Sequence, residues 1–243
     1  MDIRVMESYD EMSDTAAALV IEQIKSKPDS VLGLACGASP IGLYKRLVEA
    51  GQRGEVDFSQ VKTVNIDEYI GVSADNPDSY HGFMRKHLFD GLGIKPSQVL
   101  IPDGMAVDVL NECARYSNKI KEWGGIDLMV LGIGANAHIG FNEPGDTFVP
   151  ETHVVELSEA TRNANCLFFA NPDDMPHWAI SMGMRDIMFA RRLILLASGS
   201  AKTVALGKMV GDITPQAPAS ILQLHPHVTI VADRAAAARL EQE

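Results

Sequence analysis

The sequence predicts an α/β protein built as a Rossmann-like, doubly wound, mostly parallel sheet with flanking helices and a lid segment. Three observations carry that prediction: short β-branched or aliphatic runs alternate with helical patterns, several of those runs are apolar throughout, and no internal repeat or low-complexity tract interrupts the alternation. Strands of a parallel sheet are covered on both faces by crossover helices, so they read as continuous apolar runs instead of alternating ones.

In chain order the strands are expected at Val31 to Ala35, Lys62 to Ile66, Gln98 to Ile101, Ile126 to Gly132, Leu193 to Ala197 and Val228 to Ala232. Helices fill the spaces between them. Ser13 to Lys25 carries Leu19, Val20 and Ile24, with Ser13 or Asp14 as its cap. Pro40 opens a helix through Leu43, Leu47 and Val48, at a position where its missing N–H costs nothing. Further helices are expected near Ser79 to Phe89, Val109 to Trp123, Ser200 to Val210 and Ala217 to Gln223, and a short surface helix over Ala235 to Glu243. The stretch from Gly145 to Asp186 is polar and proline-rich and breaks the rhythm. It reads as an excursion over the sheet, a lid at about 145–185 on a single domain of residues 1–243.

Composition narrows the function classes. With 46% hydrophobic and 22% charged residues the chain has the makings of a folded core, not of a disordered segment. A net charge of -11 argues against nucleic acid or an anionic membrane as partner, since both reward clustered Lys and Arg. Cys36, Cys113 and Cys166 are odd in number and far apart, which predicts neither a disulfide framework nor a metal site and suits a reducing cytoplasm. Met1 to Met12 mixes Asp, Arg and Glu where a signal peptide needs an apolar stretch, so the expected location is cytoplasmic.

Four segments carry chemistry. Leu32 to Ile41 is a strand that ends in small residues and opens a helix. Backbone N–H groups at Gly37 and Ala38, with the Ser39 hydroxyl, would cradle an anion there, although a tight turn without a ligand explains the segment equally well. Asn65 to Ile70 puts Asp67 and Glu68 at the carboxyl end of a strand, where open α/β sheets collect ligands. A partly buried Asp67 could take a proton from a carbon beside a carbonyl, while Glu68 points the other way; alone, the pair would pass for surface carboxylates. Leu131 to Pro144 is the most informative, bringing Asn136, His138, Asn142 and Glu143 within eight positions of glycine-rich chain. His138 is suited to protonate or deprotonate a sugar ring oxygen, with Glu143 orienting the imidazole; the bland alternative is a structural histidine held by a backbone carbonyl. Finally, Lys202 in Gly199 to Thr203 follows a strand and would approach a phosphate from a second side, though by itself it reads as a solvated helix lysine.

Together with Pro-Ala-Ser-x-Leu-Gln-x-His-Pro at 218 to 226, these motifs extend over nearly the whole chain, and the sequence resembles the glucosamine-6-phosphate deaminase family. The resemblance implies a hydrolase/isomerase that converts glucosamine 6-phosphate to fructose 6-phosphate and ammonia, in amino sugar catabolism and N-acetylglucosamine utilisation, without metal or organic cofactor. It implies that Asp67 moves a proton between C2 and C1, that His138 opens the pyranose ring with Glu143 as its carboxylate partner, and that Asn136 supports them. Gly37, Ala38, Ser39 and Lys202 fall on phosphate contacts. The only implied partner is the hexosamine 6-phosphate itself, with the protein a monomer or homo-oligomer. The C-terminal extension of allosteric relatives is missing from the pattern, which implies hyperbolic kinetics without activation by N-acetylglucosamine 6-phosphate.

The chain departs from the family at three places. Cys36 replaces a threonine in the phosphate turn, Ala135 and Ala137 replace larger or smaller residues, and Leu167 stands where an arginine usually reaches the phosphate. Loss of that cation would weaken binding by about 1.5 to 3 kcal/mol unless Arg162 substitutes for it. Alternatives that share the motifs are a galactosamine-6-phosphate deaminase/isomerase, a 6-phosphogluconolactonase-like hydrolase and a sugar-phosphate sensor. The acidic and Phe-Asn-Glu-Pro segments favour the deaminase.

Overall fold

Seven parallel strands form the centre of the computed structural model, which describes residues 1–240. The elements run β1 (Asp2–Met6), α1 (Tyr9–Ser26), β2 (Val31–Leu34), α2 (Ile41–Gln52), β3 (Lys62–Asn65), β4 (Asp67–Tyr69), α3 (Tyr80–Met84), α4 (Asp90–Leu92), β5 (Val99–Leu100) and α5 (Val109–Glu122). They continue as β6 (Leu128–Gly132), β7 (His153–Glu156), α6 (Glu159–Asn165), β8 (Trp178–Ser181), α7 (Met184–Met188), β9 (Leu193–Ala197), α8 (Thr203–Val210) and β10 (Val228–Asp233). A wider π turn, Arg85–Phe89, joins α3 to α4, so the helix expected from Ser79 to Phe89 is present but irregular.

The large sheet is ordered β1-β10-β9-β6-β2-β3-β5, and every pair in it is parallel. Alternate residues of its strands serve two cores. On one face Leu32, Leu34, Leu128, Val130, Ile194 and Leu196 pack under α1 and α2. On the other, Met129, Leu131, Leu193 and Leu195 meet Tyr116 and Ile120 of α5 and Leu206 and Met209 of α8. Each such side chain contributes about 1.5–3 kcal/mol by leaving water, which is why the strands carry no polar face.

From β2 the chain winds outward to β3 and β5, then returns to β6 on the opposite side of β2 and winds the other way. The loops after β2 and β6 therefore diverge and open a crevice at the carboxyl ends of the strands, the position where such sheets bind ligands.

Four strands, β1, β4, β7 and β8, lie outside the expected set. β1 pairs in parallel with β10 at the sheet edge; its half-exposed pattern of Asp2, Ile3, Arg4 and Val5 lacks the apolar run that marks the interior strands. β7 and β8 fall inside the excursion, and with β4 they make a small antiparallel sheet, β4-β8-β7. The segment from Gly145 to Asp186 is thus anchored at both ends by strand pairing. Between those strands, α6 lies over the crevice and is followed by two short 3-10 turns.

Helix α1 starts earlier than expected. Ser8 is its cap, accepting from Glu11 N at 3.2 Å, whereas Ser13 is buried within the helix and donates to the Tyr9 carbonyl at 2.8 Å. Pro218–Leu224 is a 3-10 helix. Residues 235–240 form hydrogen-bonded turns where a surface helix was expected, and the remainder of that stretch lies outside the described residues.

Candidate active site

The turn after β2 supplies the first wall of the crevice. Gly37 has φ +113°, a backbone conformation that a residue with a Cβ rarely adopts, and it directs the following Ala38 and Ser39 toward the N-terminus of α2. Pro40 precedes that helix, as expected. Tyr9, from α1, completes the turn: its hydroxyl accepts from Gly42 N at 2.7 Å and donates to the Ala38 carbonyl at 3.1 Å.

Asp67 opens β4, held in place by antiparallel pairing with Ser181. It is buried, and among the described residues nothing donates a hydrogen bond to its carboxylate. Burial, followed by the neighbouring charge of Glu68, pushes its pKa well above the usual aspartate range. Glu68 faces elsewhere. It accepts from the backbone N–H groups of Tyr69 at 2.8 Å, Tyr80 at 3.0 Å and His81 at 2.9 Å, so it caps the start of α3. Burial raises it to about 7 against the pull of those three donors.

The loop after β6 folds on itself. Gly134 N donates to the His138 carbonyl and Ala137 N to the Gly134 carbonyl, both at 2.9 Å, while Asn136 Oδ1 accepts from His138 N at 3.1 Å. The His138 ring lies against Gly134, where a Cβ would sit 2.3 to 2.5 Å from ring atoms. Ala137 is fully buried with φ +71°, and its carbonyl accepts from Ala219 N at 2.9 Å. The 218 to 226 motif thus acts as a brace under the loop. Its His225 is itself pinned, Nε2 to the Ala190 carbonyl at 2.8 Å and Nδ1 to His227 N at 3.1 Å.

Glu143 lies 3.5 Å from His138 Nδ1. It also accepts from Asn136 Nδ2 at 2.6 Å, from the Thr161 hydroxyl and from Ser158 Oγ at 3.3 Å. Burial opposes its ionisation, but His138, Thr161 and Asn136 overcome that and hold the carboxyl at about 2. It is therefore a fixed anion beside the imidazole.

One cavity of about 730 Å³ joins these walls. Gly37, Ala38, Ser39, Asp67, Asn136, His138 and Lys202 all line it, and Glu143 stands behind His138. Lys202 ends a 3-10 turn before α8, and burial lowers its pKa. The Asp233 carboxylate shapes that turn by accepting from Ser198 Oγ and from Gly199 N. Arg162 does not belong to the lining. Its guanidinium faces the His177 ring, with Nη1 2.9 Å from Nδ1, which turns it away from the expected place beside the phosphate turn. Leu167 is 82% exposed, away from the crevice.

Among the lining residues that went unrecognised in the sequence are four with polar or charged side chains away from the motifs, Tyr9, Tyr80, Thr161 and Lys208. Tyr80 stacks on Phe141 with ring centroids 5.9 Å apart, and its hydroxyl accepts from Tyr69 at 3.0 Å, giving the cavity an aromatic wall. None of the four sits in a glycine-rich strand-end segment, the one signal that marked the others.

Residues 6–231 match the family described as glucosamine-6-phosphate isomerases/6-phosphogluconolactonase. The chain is 49% identical over 244 residues to a glucosamine-6-phosphate deaminase of Thermoanaerobacter pseudethanolicus, covering all of this chain and 96% of that one. It is 51% identical over 241 residues to the deaminase of Halothermothrix orenii, covering 99% and 100%. Among solved structures, a monomeric glucosamine-6-phosphate deaminase superposes with a TM-score of 0.95 at 44% identity, over 98% of this chain and 99% of that one. A 6-phosphogluconolactonase from Trypanosoma brucei reaches 0.80 at 21% identity over 98% of both, a likeness of fold alone. The chain belongs to the glucosamine-6-phosphate isomerase/6-phosphogluconolactonase family.

Proposed function

We propose that this protein converts glucosamine 6-phosphate and water to fructose 6-phosphate and ammonia. One observation carries the proposal: an unbonded, buried carboxylate and a carboxylate-backed imidazole face the same cavity, whose far wall is a glycine turn with a lysine beside it. A lactone hydrolase has no need of a base poised over a carbon acid. The high identity to deaminases over the full chain supports the same choice.

In this mechanism the phosphate rests on Gly37, Ala38 and Ser39 opposite Lys202. His138 gives a proton to the ring oxygen as the C1–O5 bond breaks and recovers one from the C1 hydroxyl, which leaves an open-chain aldehyde. Glu143 stabilises the charged imidazole, and Asn136 holds Glu143. Asp67 then takes the C2 proton while the aldehyde oxygen takes up a proton from solvent, forming an enolamine, and Asp67 returns its proton to C1 as the C2–N bond becomes the protonated imine. Water adds to the resulting C2 imine and ammonia departs, so the net change is an isomerisation followed by hydrolytic deamination. A carboxylate with no donor bonded to it and a raised pKa is suited to that back-and-forth transfer.

The proposal extends to a site of action in the cytoplasm, within N-acetylglucosamine utilisation. Among the described residues no helix is long and apolar enough to cross a membrane. α6 serves as the cover of the site, since it lines the cavity through Thr161 and Asn165 and bonds to both Glu143 and Tyr69.

Ammonia release from glucosamine 6-phosphate and galactosamine 6-phosphate tests the reading, with Asp67→Asn run alongside. Wild type should release ammonia faster from the glucosamine substrate, and the variant should lose about 100- to 10,000-fold in kcat, the usual contribution of one general base. Equal rates for wild type and variant would remove Asp67 as the base.

A further inference from the structure

We propose that Lys208 is a second cation for the substrate phosphate, gripping it together with Lys202, a step that rests on the hexosamine-phosphate reading given above. Lys202 and Lys208 are the two cationic side chains among the residues lining the cavity. Neither forms an ion pair or hydrogen bond with another described residue, although the chain as a whole is acidic, with 32 Asp and Glu against 21 Lys and Arg. Several other basic residues are already engaged: Arg46 by Asp10 and Asp14, Arg191 and Lys27 by Asp127, and Arg162 by the His177 ring.

The placement of the two lysines is complementary. They are six residues apart, Lys202 closing the 3-10 turn that leads into α8 as its N-terminal flanking residue and Lys208 within α8. In a helix that spacing rises about 9 Å and turns roughly 240°, so two side chains that both reach one cavity come to it from different directions. Lys202 is half-buried at the base of the turn, and Lys208 is exposed at the rim. The only carboxylate on the lining, Asp67, belongs to the opposite, reacting end. A phosphate dianion held between two ammonium groups on one side and the Gly37 to Ser39 turn on the other has its two charges matched. A monoanionic ligand would gain less.

The test measures binding apart from turnover. Inorganic phosphate is titrated calorimetrically into the wild-type protein and into Lys208→Gln, Lys208→Arg and Lys45→Gln, the last an exposed lysine of α2 outside the cavity. Phosphate should bind the Lys208→Gln variant about 5- to 20-fold more weakly than wild type, as expected for a partly exposed charged contact, with Lys208→Arg near wild type and Lys45→Gln unchanged. Steady-state ammonia release should show the same factor in KM with kcat retained. Equal phosphate affinity in wild type and Lys208→Gln overturns the proposal, as does loss confined to kcat. Phosphate binding with the expected ranking but no ammonia from any hexosamine 6-phosphate would leave Lys208 as an anion residue and reject the deaminase reading instead.

Discussion

Asp67 illustrates how a functional group sets itself against the stability of the fold. Its carboxyl is buried with no donor to hold its charge, so the folded protein prefers the protonated form more than the unfolded chain does. The sign follows directly. A raised folded pKa means that ionised Asp67 destabilises the fold above that pKa, and the penalty is relieved as pH falls toward the unfolded value of about 3.9. Asp67→Asn removes the charge at nearly constant shape, so at pH 7.5 it should raise Tm while ammonia release collapses. In a carbon-detected NMR titration the carboxyl signal missing from the variant should titrate above about 3.9; a midpoint at or below that value would contradict the buried environment. Asp67 and His138 were legible because each lies in a short run of small and polar residues after an apolar strand. Tyr9 and Lys208 were not: one sits at the start of a helix, the other within one, where nothing local separates a cavity residue from a solvated one.

At the scale of elements, the loop after β6 is a self-bonded turn whose shape is set by neighbours. Ala137 takes a left-handed conformation that costs an alanine about 1–2 kcal/mol, and the bond from Ala219 together with complete burial of its methyl holds it there. Gly134 provides the floor for the imidazole. Gly134→Ala would place a Cβ 2.3 to 2.5 Å from His138 Nε2, Cε1 and Cδ2, so the ring must shift by about 1 Å or more. Displacements of that size cost on the order of 100-fold in rate. The expected outcome is a kcat lowered about 100-fold with phosphate binding at the Gly37 turn within twofold of wild type, read by steady-state kinetics and calorimetry. An unchanged kcat would show that the ring is not set by this contact. The helices and interior strands of the large sheet were readable from apolar runs and spacing. β1 and β7 were not, because edge and half-exposed strands keep polar residues on the side that water reaches, and β4 and β8, mostly buried but only three and four residues long with polar residues among them, lack an apolar run to mark them.

For the whole molecule, the two ends of the parallel strands carry separate duties. The carboxyl ends hold the cavity, and the amino ends are tied by Asp127, a residue with no motif around it. Its Oδ2 accepts from Lys27 Nζ at 2.6 Å and from Val31 N at 2.8 Å, and its Oδ1 accepts from Arg191 Nη1 at 2.6 Å. One buried carboxylate so joins the end of α1, the first residue of β2, the entry to β6 and the chain leading into β9, the centre of the sheet where its winding reverses. The sequence shows the strands but not their order, and it is the order that brings these four segments together. Burial works against the charge, yet the Lys27, Val31 and Arg191 bonds outweigh it and keep the carboxyl below its usual pKa. Its stabilising contribution is therefore complete above the unfolded value of about 3.9 and is lost as pH falls through the lower folded value. Removing a buried acceptor that serves three donors should cost about 2–3 kcal/mol, discounted because Lys27 and Arg191 can return to water. At roughly 2–4 °C per kcal/mol, Asp127→Ala should lower Tm by about 4–12 °C at pH 7, and the difference from wild type should shrink as the pH is taken toward 3. Because the tie lies at the opposite edge of the sheet from Asp67 and His138, ammonia release at 25 °C should stay within twofold of wild type. A kcat that fell along with Tm would mean that the two ends of the strands are coupled after all.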